Sequence, residues 1–290
     1  LGAVLWGTTG TAQALAPPNA DPLTVGYVRI ALGTVVLAII AGWQGHLSGL
    51  RNWRRWPLRT TLLASVAIAA YQLFFFAGVA RTGVAVGTMV GIGSTPVAAG
   101  VLTYIAYRHF PGRRWTYATL LAIAGCALLV LSGGDLLVNG LGILLAVAAG
   151  SSYALYTLLS KRLLEREPRG AVLTFTFTLG TIWLTPILLF ADFGWLSEPR
   201  GVYVALHLSI ITVGAAYTLY AMGLSLIPVA TTATLTLAEP LTAGMLGIFL
   251  LGEELNTLAF SGIILLLAGL ILIVYQPQRN QARLENERSA

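Results

Sequence analysis

Two tripeptides sit in the middle of long apolar runs, where polar chemistry is expensive: Ser94-Thr95-Pro96 and Ala238-Glu239-Pro240. A carboxylate at the centre of a spanning helix costs at least about 2.5–3.5 kcal/mol on insertion scales unless it is paired, protonated or wet. Glu239 therefore has three readings: a proton-coupling group, a ligand for a substrate amine, or a hydrogen-bonding hub that holds its helix bent. Each proline removes one backbone hydrogen bond and leaves a carbonyl free. In lipid that carbonyl needs a partner, so the helix must bend toward protein or a wet cavity. Pro96 and Pro240 are the expected hinges. Arg29 is the other charge inside an apolar run. It can snorkel, pair with a carboxylate, or meet a substrate carboxylate; snorkelling or structural pairing is the expectation.

Aromatic and polar side chains recur at similar depth. Trp6, Thr9 and Gln13 share one helix face by their spacing of three and four. Tyr71, Gln72, Phe75 and Phe76 cluster in another run, Ser152, Tyr153 and Tyr156 in a third, Tyr217 and Tyr220 in a fourth. A hydroxyl at that depth needs a partner, which turns it toward a cavity. Aromatic walls with a few polar tips suit a small, flat, partly apolar solute. The expected cavity residues are Trp6, Thr9, Tyr71, Gln72, Phe75, Tyr153, Tyr156, Tyr217 and Glu239. Trp43, Trp53, Trp56, Trp115, Trp195, Tyr107 and Tyr275 lie nearer the run ends and are expected at the membrane–water interfaces. Gly83, Gly87 and Gly91 form a stripe that would let a neighbouring helix pack closely.

Other chemistries find no purchase. His46, His109 and His207 are scattered, and Cys126 is the single cysteine, so neither a metal site nor an internal disulfide is expected. No phosphate-binding loop or hydrolase motif stands in a usable context. The reading is not an enzyme, with no metal and no cofactor.

The elements that position these residues follow from composition. The chain is 57% hydrophobic and 10% charged, against about 25% charged in soluble domains. So few charges cannot cover a water-facing surface, and lipid must be the main solvent. A spanning helix needs roughly 20 apolar residues. Ten runs meet or approach this: 1–16, 22–42, 58–80, 84–107, 115–131, 140–163, 170–191, 202–224, 228–251 and 258–275. They are continuous rather than alternating, which excludes a barrel. No basic region precedes the first run, so no cleaved leader is expected. The tail, 277–290, is polar and expected to be disordered.

The two tripeptides belong to a longer correspondence. At one offset of 144 positions, Ala77 falls on Ala221, Thr88 on Thr232, Pro96 on Pro240, Gly100 on Gly244, and Ala124-Gly125 on Ala268-Gly269. A gapless offset that matches Pro and Gly reads as a duplication, with repeats over 1–135 and 136–276. Five spans per repeat make the second copy enter from the opposite face, so the copies must be inverted, with a site near midplane. The basic residues set the orientation. Arg51, Arg54, Arg55, Arg59, then Arg108, Arg113, Arg114, then Lys161, Arg162, Arg166, Arg169, and the tail's Arg279, Arg283 and Arg288 fall on one side. These are 14 of the 17 Lys and Arg. Both termini should be cytosolic, and the net charge of +6 faces anionic lipid rather than nucleic acid.

The second half carries more specific text. Pro228-Val229-Ala230, Leu237-Ala238-Glu239-Pro240-Leu241, Leu250-Leu251-Gly252-Glu253-Glu254-Leu255, Gly262 and Ala268-Gly269 resemble the end of an EamA repeat, which defines the drug/metabolite transporter superfamily. Trp6-Gly7-Thr8 and Arg29 resemble the opening of that repeat. The chain as a whole is similar to the YddG-type exporters of aromatic amino acids. The resemblance implies an all-α membrane protein of ten transmembrane helices as two inverted five-helix repeats. It also implies a central cavity ringed by runs 1, 3, 4, 6, 8 and 9. Two departures matter: Thr95 stands where the second copy has Glu239, and His109-Phe110-Pro111 where it has Gly252-Glu253-Glu254. A symmetric charge mechanism is therefore not expected. Phosphate-carrying relatives need basic cavity residues, and with Arg29 as the one basic residue deep inside a run, phosphorylated cargo is disfavoured. The expectation is an inner-membrane exporter of neutral, often aromatic amino acids, working as a monomer by alternating access. Purines, drugs or polyamines are the alternative cargo, and an intramembrane enzyme the remote one.

Overall fold

Lipid as solvent leaves the backbone one way to satisfy itself, and the chain takes it. The computed structural model describes residues 1–47, 56–132, 139–251 and 256–275, and among them every regular element is helical. In order these are α1 (Gly2–Ala14), α2 (Pro22–Trp43), α3 (Leu58–Tyr107), α4 (Gly112–Leu131), α5 (Gly140–Leu164) and α6 (Arg169–Leu184). Then come α7 (Pro199–His207), a π-helical stretch (Leu208–Ala215), α8 (Ala216–Leu226), α9 (Val229–Leu235), α10 (Ala238–Leu251) and α11 (Thr257–Val274). Short 3-10 turns follow α6 at Thr185–Leu189 and precede α7 at Gly194–Ser197. Among the described residues, 8 helical stretches are long and apolar enough to cross a bilayer. The first run gives only the 13 residues of α1, and the ninth is interrupted between α9 and α10.

Helix starts are capped where the sequence offers Asx residues. Asp21 accepts from the Thr24 N–H at 3.1 Å ahead of Pro22. Asn139 accepts from Gly142 N–H at 2.9 Å, and Asn256 from Ala259 N–H at 2.9 Å. Each satisfies one of the orphan donors that a helix leaves at its N-terminus. The most apolar stretch, Thr257–Val274, has mean hydropathy 2.7 and only 22% of its window buried, so most of α11 faces lipid.

Three local departures from α geometry shape the interior. Within α3, Gly83 has φ 79° and ψ 162°, a conformation essentially reserved for glycine. The chain turns back there: a Cβ on Gly87 would lie 2.8 Å from Val79 Cα, closer than a straight helix allows eight residues on. The expected stripe Gly83-Gly87-Gly91 is thus corrected. Gly83 makes the turn and has nothing within 4 Å of its Cβ position, Gly87 packs across that turn, and Gly91 faces the backbone of α5. Second, α7, the π stretch and α8 run on as one span from Pro199 to Leu226. Third, α9 stops at Leu235, one turn before Pro240. The Thr236 carbonyl, which Pro240 cannot reach for want of an N–H, accepts instead from Glu239 N–H at 2.9 Å. The first hinge candidate behaves differently. Backbone helicity continues through Pro96, while the Ser94 and Thr95 hydroxyls both donate back to the Gly91 carbonyl, at 3.1 and 3.0 Å.

Packing brings the two sequence halves together throughout. The main contacts are α3 with α5, α4 with α11, α2 with α6 and the π stretch, and α1 with α10. Three crossings depend on glycine, and the α4–α11 crossing uses two of them. A Cβ on Gly125 would lie 2.5 Å from Leu266 N and 2.6 Å from Gly262 O, and one on Gly269 would lie 2.8 Å from Ala122 N and 2.7 Å from Ala118 O. The α1–α10 crossing likewise puts Gly7 against the Glu239 carbonyl, at 2.8 Å, and the α5–α3 crossing puts Gly150 against Thr95 N, at 3.1 Å. Three of the tryptophans expected at the interfaces are buried within the protein near helix ends: Trp56, Trp115 and Trp195. Each indole N–H is paired, to Thr61 Oγ1, the Ala230 carbonyl and Thr24 Oγ1 respectively, so burial costs them no donor. Trp43, Tyr107 and Tyr275 are exposed, and Trp53 lies outside the described residues.

Candidate functional site

Where the inner faces of these helices meet, they enclose a small polar cavity. Its lining comes from five elements and one break: Trp6 on α1, Arg29 on α2, Tyr71, Ile92 and Thr95 on α3, Tyr153 on α5, Tyr217 on α8, and Thr236 and Glu239 around the α9–α10 break. Its volume is about 20 Å³, room for about one water molecule. Wider spaces of 590 and 630 Å³ exist, the first lined by Thr8, Leu15, Tyr203 and Leu250, the second by Val97, Val101 and Val147. They are more open and bring no carboxylate beside a cation; a third space of 360 Å³ does so with Arg162, Glu165 and Arg166 at an exposed helix end, so the small cavity at the meeting of the helices is the candidate site.

One wall is a continuous aromatic cluster. The Trp6 ring centroid lies 4.9 Å from Tyr217, 5.2 Å from Tyr220 and 6.1 Å from Tyr153. Tyr153 in turn lies 5.0 Å from Tyr71. Trp6 is fixed by its indole N–H, which donates to the Thr212 carbonyl at 2.7 Å. Thr212 sits in the π stretch, where a widened turn leaves a carbonyl available to an outside donor. Tyr220 is fixed from behind by a 2.7 Å hydrogen bond between its hydroxyl and Thr157.

The opposite wall carries charge and hydroxyl groups. Arg29 is 7% exposed, and its Nε has no hydrogen-bond partner. Glu239 is half-buried at the start of α10. Thr95 and Glu239 are 144 positions apart, and so are Ile92 and Thr236; all four line the cavity. Equivalent turns of the two halves therefore meet there.

Five of the expected cavity residues thus converge: Trp6, Tyr71, Tyr153, Tyr217 and Glu239. The other four are close but do not line it. Tyr156 is 1% exposed and packs behind the wall, 5.7 Å from Tyr153 and 6.3 Å from Tyr217. Phe75 stacks on Tyr71 at 5.6 Å. Gln72 is buried beside Tyr71 with its Nε2 unpartnered, and Thr9 Oγ1, one turn from Trp6, is likewise unpartnered. Arg29, Ile92, Thr95 and Thr236 line the cavity and were not among the expected residues. Ile92 and Thr236 had a signal in the sequence: each stands three positions before Thr95 or Glu239, on the same helix face. Among the described residues no group of His, Cys, Asp and Glu could hold a metal ion.

Comparison with known proteins bears on the family and the fold. The EamA-like transporter family matches twice, over residues 1–131 and 140–275. A Bacillus subtilis (strain 168) protein, described as the uncharacterized transporter YwfM, is 41% identical over 281 residues, 97% of this chain and 94% of that protein. A Salmonella typhimurium protein, described as the uncharacterized inner membrane transporter YicL, is 24% identical over 96% of this chain and 94% of its own length. A solved crystal structure superposes with a TM-score of 0.81 at 19% identity, covering 94% of this chain and 93% of the other, which establishes a shared fold.

Proposed function

The chain belongs to the EamA-like transporter family, and on that premise we propose that it exports neutral, often aromatic amino acids and related metabolites across the inner membrane. The observation that carries this reading is the cavity itself. Trp6, Tyr71, Tyr153 and Tyr217 offer ring faces to a flat apolar side chain, and Arg29 and Glu239 offer one charge of each sign beside them. Aromatic faces fit phenylalanine, tyrosine and tryptophan and tolerate smaller apolar side chains. Phe75, Gln72, Thr9 and Tyr156 support the wall and enter contact when it opens. Inner-membrane residence is supported by the Salmonella relative, described as an inner membrane transporter, and cytosolic termini by the one-sided basic residues.

The mechanism is alternating access between two inverted repeats of five spans each. Three observations support it. Two separate family matches fall one per half. The packing maps onto itself when the halves are exchanged: Gly125 meets Gly262 and Leu266, and its counterpart Gly269 meets Ala118 and Ala122, which lie 144 positions before them. Finally, a cavity of about 20 Å³ is far smaller than any aromatic amino acid, so cargo enters only when the halves separate. Pro96 and Pro240 hinge the motion. The broken α9–α10 element bends more readily than the continuous helix at Pro96.

Time-dependent uptake of radiolabelled phenylalanine into proteoliposomes, with and without an imposed proton gradient, tests the proposal. Uptake above empty vesicles is expected. A gradient-dependent rate makes Glu239 the first residue to neutralise in search of the coupling group; a gradient-independent rate leaves it a binding or structural group. Absence of uptake by monodisperse protein overturns the amino-acid reading and transfers the search to purines, drugs and polyamines.

A further inference from the structure

We propose that the cavity recognises the zwitterionic head of an amino acid as a unit, with Arg29 binding the α-carboxylate and Glu239 the α-ammonium. The inference rests on the amino-acid reading above and specifies how that cargo is selected.

Burial and connectivity carry the argument. Arg29 is 7% exposed, lines the cavity and has an Nε without a hydrogen-bond partner. A guanidinium kept only to hold the fold would have its donors filled, as buried polar groups nearly always do. A planar fork with a free donor suits a bidentate carboxylate. Glu239 stands in the same cavity and comes from the other half of the chain. In the midst of a membrane domain, each charge is tolerable because the other is present.

Charge balance then sets the selectivity. The two side chains sum to zero charge. A zwitterion entering between them also sums to zero, and it gives each protein charge an opposite partner. A decarboxylated amine leaves Arg29 facing a second cation without an anion, and a carboxyl-blocked or amine-blocked analogue strips one side chain of its partner. Removing one partner of a buried ion pair costs enough to lower affinity by about 100-fold or more. The cation and anion come from opposite halves, so cargo bridges them. Apolar rings of Trp6, Tyr71 and Tyr217 receive the side chain without requiring a particular one, which fits a broad range of neutral amino acids sharing one head group.

The test is competition against radiolabelled phenylalanine uptake in proteoliposomes of the wild-type protein. The competitors are unlabelled phenylalanine, phenylalaninamide, N-acetylphenylalanine and phenethylamine. Unlabelled phenylalanine should compete, and the three modified compounds should need about 100-fold higher concentration. If the modified compounds compete within about threefold of phenylalanine, the clamp is wrong while amino-acid transport stands. If phenylalanine is not taken up by folded protein, the cargo reading fails and the clamp falls with it. Two variants separate recognition from structure. Arg29→Gln should weaken phenylalanine and strengthen phenylalaninamide, since no unpartnered cation then penalises the amide, closing the gap between them. Glu239→Gln should do the same for N-acetylphenylalanine. A uniform loss across all four compounds in both variants would assign the two residues to the fold and overturn the proposal.

Discussion

Trp6 shows how one side chain joins the cavity to the scaffold. Its ring forms part of the wall, and its N–H holds the carbonyl of Thr212 at 2.7 Å. Trp6→Phe keeps an aromatic surface but leaves that buried carbonyl without its donor, which costs about 1–3 kcal/mol. Unfolding free energy measured by denaturing-detergent titration should fall by that amount. Trp43→Phe, at a position 86% exposed, should stay within about 0.5 kcal/mol of the parent. Equal values for both variants would show that the indole bond contributes nothing. Residue type was informative at this scale where it was costly. Glu239, Trp6, Tyr71, Tyr153 and Tyr217 stood out because polar or aromatic groups deep in lipid demand a reason, and all five line the cavity. Arg29 was visible, but its direction was not. The run around it is apolar on every side, so sequence spacing could not say whether the guanidinium faced lipid, a headgroup or the interior.

At the scale of elements, the sequence located runs well and distortions poorly. The boundaries at Pro22, Gly140 and Leu131 follow from proline, glycine and capping signals, and the structure places them there. The π stretch Leu208–Ala215 carries no such signal: Ser209, Thr212 and Gly214 among its apolar residues are ordinary in a spanning helix, and Trp6 and α2 pack against the wide turn. The glycines divide in the same way. Gly125 and Gly269 look like Gly223 in sequence, yet the first two sit at backbone crossings, while a Cβ on Gly223 meets nothing within 4 Å. Gly125→Ala and Gly269→Ala should each force α4 and α11 apart and cost about 1–3 kcal/mol of overpacking. Gly223→Ala, in an open helix position, should gain up to about 1 kcal/mol from helix propensity. The same detergent titration reads all three. A stabilised Gly125→Ala would mean that the crossing is looser than its 2.5 Å approach implies.

The whole molecule turns on how its halves relate, and the α4–α11 crossing gives the direction. Passing up α4 from Ala118 to Gly125, the facing residues on α11 run down from Gly269 to Gly262, so the two helices are antiparallel. They are also counterparts at the 144-position offset. Two counterpart helices that cross each other antiparallel are exchanged by a two-fold axis perpendicular to them. Such an axis lying in the membrane plane would give the inverted arrangement proposed above, and the antiparallel crossing supports that proposal. A prediction follows for residues after corresponding spans. Asn19, beyond α1, and Glu165, at the end of α5, are both exposed and should lie on opposite faces of the membrane. In a Cys126→Ser background, Asn19→Cys should react with a membrane-impermeant maleimide in intact cells. Glu165→Cys, beside the basic residues Lys161, Arg162 and Arg166, should react only after permeabilisation. Labelling of both from the same side would make the repeats parallel. It would also remove the geometric reason for a cavity that opens to either face by one rocking motion.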